Sequence, residues 1–200
     1  MSRRTSGVLE FAVLGLLHDS PMHGYELRKR LNGVLGTFRA FSYGSLYPCL
    51  KQLLADGYIS ETPADDARSR RSKIVYQLTA DGKEHFTDLV NETGPAAWED
   101  ETFGVHFAFF ARTDATARLR ILEGRRSRLE ERLANVRGSF ARTQERLDAY
   151  TLELQKHGLE SVEREVRWLD ELIRDERRRE EHPTHTTDRG SNPGTKIDEE

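Results

Sequence analysis

The stretch FSYGSLYPCLKQLLADGYI, residues 41–59, decides the fold. Leu46, Leu50, Leu53 and Leu54 recur at helical spacing, so a helix from Tyr43 to Ala55 turns one face toward a core. Ser42 is a candidate N-cap, and Asp56-Gly57 closes the helix. Pro48 lies about one turn inside the start, where it removes at most one ladder hydrogen bond. The opposite face begins with Ser42, Tyr43, Gly44 and Ser45 and continues through Tyr47 to Lys51. A helix that enters the major groove of a duplex needs short or planar polar groups at this end, because its first turns reach the base edges. Gly44 allows close backbone approach, Ser45 can donate to a base or a phosphate, and Lys51 can reach the phosphate backbone one turn later. Tyr43 and Tyr47 bring hydroxyls on apolar bodies; the competing assignment for a helical tyrosine is core packing, which suits Tyr47 better than Tyr43.

Working outward, LEFAVLGLL (residues 9–17) is apolar nearly all round and reads as a helix buried on most sides. Asp19-Ser20-Pro21 ends it. A second helix is expected from about His23 to Leu35, with Tyr25, Leu27, Leu31, Val34 and Leu35 inward and Arg28, Lys29 and Arg30 outward. After the third helix the period changes. Tyr58–Glu61 and Lys73–Leu78 are short and rich in β-branched and aromatic residues, and a polar basic stretch joins them. This reads as a two-stranded β-hairpin whose tip carries Arg68, Arg70, Arg71 and Lys73. Arginine is favoured in a narrow minor groove. Thr79 caps a further helix. Three helices followed by a basic-tipped hairpin is the order of a winged helix-turn-helix.

Charge is distributed unevenly. The net charge is −3, yet residues 1–80 hold eleven Lys/Arg against seven Asp/Glu, and the remainder holds twenty against twenty-seven. A basic head on an acidic body concentrates phosphate attraction at one end. The single cysteine, Cys49, excludes an internal disulfide framework and suits a reducing cytoplasm; it is expected to be buried and inert. No apolar run approaches a membrane span, so no membrane partner is expected. Gly-rich phosphate loops, nucleophile elbows and His-Glu zinc motifs do not occur, and the expectation is a non-enzyme without cofactor or metal.

The C-terminal part reads as helical. From Ala115 to about Lys156 a heptad pattern sets Leu119, Leu133, Phe140, Leu147 and Leu154 at one seam position and Leu122, Leu129, Val136 and Tyr150 at the other. Such a helix cannot bury its stripe on a small head and needs a partner. His157-Gly158 is expected to break it, and a last amphipathic helix carrying Trp168 runs on to about Arg179. The expected domains are a DNA-binding head at 1–94, a helical dimerisation domain at 95–180 and a disordered tail at 181–200. The fold class is thus mainly α: a winged helix with a two-stranded wing, then an antiparallel helical dimerisation arm.

Residues 9–79 resemble the PadR family of winged-helix transcriptional regulators. Gly24-Tyr25-Glu26 matches the start of that family's second helix, Gly44 through Leu50 match its recognition helix, and Tyr76, Leu78, Thr79 and Gly82 match the end of its wing. A proline at position 48 belongs to this pattern. The resemblance implies a homodimer on a palindromic operator, usually repressing, with the C-terminal helices as the dimer contact. The tip departs from the Gly-rich basic pattern at Asp65 and Asp66, which places phosphate contact at Arg70 and Arg71 ahead of Arg68. The resemblance also implies a small aromatic effector, for which Trp98, Phe103, Phe107 and Phe110 are candidate walls beside His106 and Phe109. The bland alternative, favoured by weight, is that they pack the junction of head and arm. Two further readings compete: a protein-interaction module on a winged helix, and an effector sensor built on residues 98–110.

Overall fold

The computed structural model describes residues 3–36, 43–63, 74–143 and 147–181. At its centre runs α1 (Arg3–Asp19), whose residues from Phe11 to Leu17 are all buried. That matches an apolar run without a polar face, and the helix stops just before Pro21. Around it pack α2 (Gly24–Leu35), α3 (Tyr43–Ala55) and α4 (Ala80–Val90). Leu27, Leu31 and Leu35 form the buried stripe of α2, and Leu46, Cys49, Leu50 and Leu53 that of α3.

The sheet has three strands where the sequence indicates two. Strands β2 (Ile59–Pro63) and β3 (Ile74–Leu78) pair antiparallel with Ile59 opposite Leu78 and Pro63 opposite Ile74. The short β1 (Met22–His23) adds to the other edge of β3, so the order is β1-β3-β2. Two residues are too few to show alternation. What fixes them is burial of Met22, its pairing with Tyr76, and a hydrogen bond between His23 Nδ1 and the Ile74 carbonyl at 3.0 Å. Gly57, at φ 77°, makes the turn from α3 into β2 in a conformation that other residues rarely adopt.

Beyond α4 come a turn of 3₁₀ helix at Pro95–Trp98, the short α5 (Phe103–Ala108) and another 3₁₀ turn at Phe110–Arg112. They lead into α6 (Ala115–Thr143) and α7 (Ala149–Glu181). These two helices run antiparallel, as their ion pairs require: Arg118 meets Glu176, Arg126 meets Asp170 and Arg137 meets Glu163. Ile121, Leu122 and Leu129 close over Leu169 and Ile173 in a second core separate from that of the head. Among the described residues no helix is long and apolar enough to cross a membrane.

The expected single helix through residue 156 is corrected here: the chain turns between α6 and α7, ten residues before Gly158. Asp148 starts the new helix. Its carboxylate accepts from the N–H groups of Tyr150 and Thr151, both at 3.0 Å, and from the Thr151 hydroxyl at 2.6 Å, which holds its pKa below the usual value. Gly158 lies inside α7 with open space around it. The partner that the stripe requires is therefore, for most of its length, the second half of the same chain. Leu122, Leu129 and Leu133 are buried within the single chain, Leu119 and Val136 half-buried, and Leu147 sits at the turn; the Phe140 side chain lies outside the described set.

Candidate nucleic-acid interface

The face of α3 opposite its leucines carries Gly44, Tyr47, Pro48, Lys51, Gln52 and Ala55, all exposed, with Ser45 half-buried at the edge. The spacing of three or four residues keeps these positions on one face. Tyr47 is 46% exposed, so the competing assignment to the core does not apply to it. It stands beside the backbone of Gly24 and beside Tyr76. Of the other residues assigned to DNA, Tyr43 opens α3, although its side chain is not described. Ser42, Arg68, Arg70, Arg71 and Lys73 lie outside the described residues.

A second correction concerns α2. Tyr25 is 69% exposed and Val34 is exposed too, because the buried stripe passes through Leu27, Leu31 and Leu35 and leaves both to one side. With His23, Tyr47, Ile74 and Tyr76, Tyr25 borders a groove of about 520 Å³ between the start of α2, α3 and β3. Burial, then the Glu61 carboxylate and Tyr47, push the Tyr76 hydroxyl up, so it stays protonated and able to donate. Reading residues 23–35 as an ordinary amphipathic helix hides this groove. The signal that reveals it is Gly24, where a methyl group would meet both tyrosine rings at 3.5–3.6 Å.

Both halves contain cations with and without ion pairs: Arg30 of the head is paired with Glu26, and Arg120 and Arg167 of the arm have no ion pair among the described residues. Lys29 and Lys51 are exposed on the head and have no ion pair among the described residues. On the arm, Arg118, Arg125, Arg126, Arg137 and Arg177 are all paired with carboxylates. Arg125 is the most buried of them: it binds Glu165 at 2.7 Å and Asp100, donates to the Trp98 carbonyl at 3.1 Å, and lies over the Phe103 ring.

Cys49, on the inner side of α3, is buried, and burial followed by the Glu10 charge pushes its thiol up to about 12, as expected of an inert packing residue.

The candidate effector walls are also redistributed. Phe103, Phe107 and Phe110 pack against α6 and α7, with Trp168 standing edge-on to Phe107 at 5.1 Å and to Phe103 at 6.3 Å. Trp98 covers Gly124, which has no room for a side chain. None of these aromatics lines the cavity found next to segment 95–106. That cavity, about 440 Å³, opens between α1, the end of α4 and the segment 95–106, and its apolar wall is Val8, Phe11, Leu89 and Val105. His106 lines it as well. It is 5% exposed, with Phe11 edge-on at 4.8 Å, and its Nδ1 has no hydrogen-bond partner. Burial alone lowers its pKa to about 4, so the ring is neutral near pH 7.

Several known proteins resemble this chain. Residues 13–88 match the model of the transcriptional regulator PadR-like family. The chain is 23% identical over 176 residues to the negative transcriptional regulator PadR of Bacillus subtilis, a match covering 83% of this chain and 96% of that protein. It is similar to the crystal structure of Bacillus subtilis PadR in complex with operator DNA, at 22% identity and a TM-score of 0.41, over 84% of this chain and 99% of that one. It is also similar to the structure of the same regulator in complex with p-coumaric acid, at 22% identity and a TM-score of 0.39, over 85% and 99% of the two chains. Residues 13–88 of the chain are thus similar to the PadR-like family of transcriptional regulators.

Proposed function

We propose that the protein acts as a homodimer that binds a palindromic operator and represses the adjoining promoter. The observation that carries this reading is the two-sided α3: its leucines are locked into the core while Gly44, Tyr47 and Lys51 stand outward on one face. In this reading Ser42, Tyr43, Gly44, Ser45 and Tyr47 meet base edges in the major groove, and Lys51 meets phosphate. Arg70 and Arg71, with Arg68 and Lys73, enter the neighbouring minor groove. Tyr150 and Leu154, 90% and 68% exposed near the start of α7, support pairing with a second copy, because large apolar side chains so placed gain by being covered. Repression is the role carried by the name of the Bacillus subtilis relative.

Footprinting of the purified protein on the DNA upstream of its own gene tests the reading. A protected palindrome with half-sites about one helical turn apart is expected. Substituting Arg70→Ala together with Arg71→Ala removes the footprint, whereas a pure protein-interaction module leaves no footprint to lose. Tyr43→Ala and Ser45→Ala weaken operator binding more than non-specific binding. Lys51→Ala lowers affinity on all sequences and reduces the salt slope by about one.

The cavity favours a second element of the reading, release of DNA by a small effector. One wall is α1 and α4 of the head, and the other is the segment that Arg125 ties to α6 and α7. A molecule seated there adjusts the head against the arm. Compounds that raise the melting temperature and also reduce operator binding support it.

A further inference from the structure

The cavity has a chemical polarity of its own, and the ligand class inferred from that polarity rests on the effector reading of the same site. Three glutamates, Glu92, Glu99 and Glu101, line it, and no lysine or arginine does so among the described residues. Arg128 neutralises part of Glu99 from 3.6 Å, whereas Glu92 and Glu101 have no ion pair among the described residues. His106, 5% exposed and without a hydrogen-bond partner at Nδ1, lines the cavity beside Phe11 and Val105. The volume, about 440 Å³, falls within the range of small-molecule sites.

We propose that this cavity takes an apolar compound bearing a protonated amine in preference to the matching carboxylate, with Glu92 and Glu101 at the cationic group and the apolar body against Phe11 and Val105. A carboxylate would meet two unneutralised charges of its own sign, with no described cation on the wall to offset them.

Calorimetric titration of the full chain with 4-phenylbutylamine, 4-phenylbutanol and 4-phenylbutanoate tests the assignment, since these probes differ only at the terminal group. The amine is expected to bind at least about tenfold more tightly than the carboxylate at low salt, with the alcohol between them. In the double variant E92Q/E101Q, whose altered side chains are exposed and leave the Glu99–Arg128 pair intact, the amine falls to the affinity of the alcohol while the alcohol is unchanged. Ala96→Trp, at the cavity wall, blocks all three probes. A carboxylate that binds as tightly as the amine, an amine indifferent to E92Q/E101Q, or no binding by any probe overturns the assignment. Operator binding is measured alongside. If the amine binds as expected but never loosens DNA, the effector reading fails and the ligand preference stands.

Discussion

At the scale of single residues, Thr79 shows how one hydroxyl joins three elements. Its oxygen accepts from the Gly82 N–H at 3.0 Å, capping α4, and it donates to the Gly57 carbonyl at 2.7 Å, holding the turn between α3 and β2. Thr79→Ala is expected to lower stability by about 1–2 kcal/mol, read from the urea midpoint, with Thr79→Ser recovering most of it. His106 gives a prediction in pH. Its folded pKa is about 4 against a usual 6.5, so the unfolded chain takes up this proton first as the medium is acidified. Stability is full near neutrality and falls as pH drops through the window from 6.5 to 4, by about 3 kcal/mol in all. Chemical denaturation of the wild type and His106→Phe at pH 7 and pH 4.5 checks the sign: the variant lacks this loss. The cap was legible because a threonine three positions before Gly82 is a local signal. The depressed histidine was not, since its environment comes from α1, more than ninety residues away.

Elements expose the limit of reading by local punctuation. A glycine after a histidine looks like a helix end, but Gly158 sits in the interior of α7, where its neighbours face solvent and lose nothing. Gly158→Ala is therefore expected to raise stability by about 0.5–1 kcal/mol. The same change at Gly82 has the opposite sign, because the new carbon would overlap the Tyr58 carbonyl; a loss of about 1–3 kcal/mol is expected in the same denaturation assay. Periodicity correctly found the stripe on α6 and its apolar character. It did not reveal that α7 would fold back onto that stripe, because an intramolecular and an intermolecular partner leave the same pattern of leucines.

For the whole molecule, the proposed pairing of two chains turns on what α6 and α7 leave uncovered. Leu133 is buried within its own chain, so a charge there would break the hairpin and report nothing about assembly. Tyr150 and Leu154 are exposed and can be changed without touching either core. The double variant Y150D/L154D is expected to keep its helicity and melting behaviour, run as a monomer in sedimentation, and lose operator affinity by about a hundredfold or more as two half-sites become one. A variant that stays dimeric moves the interface elsewhere on the arm.

Local patterns in the chain suffice for the head: the order of helices and wing, the inner face of α3, the excess of positive charge before residue 80 and the place of Thr79. These come from signals a few residues long, in which side-chain spacing and caps dictate local geometry. Three-dimensional packing is what shows that α6 pairs with α7, that Tyr25 and Tyr47 face outward, and that the cavity belongs to Phe11 and His106 and not to the aromatic run around Phe107. The reason is physical: burial and cavities arise where distant segments meet, and an aromatic side chain has the same composition whether it lines a pocket or fills one.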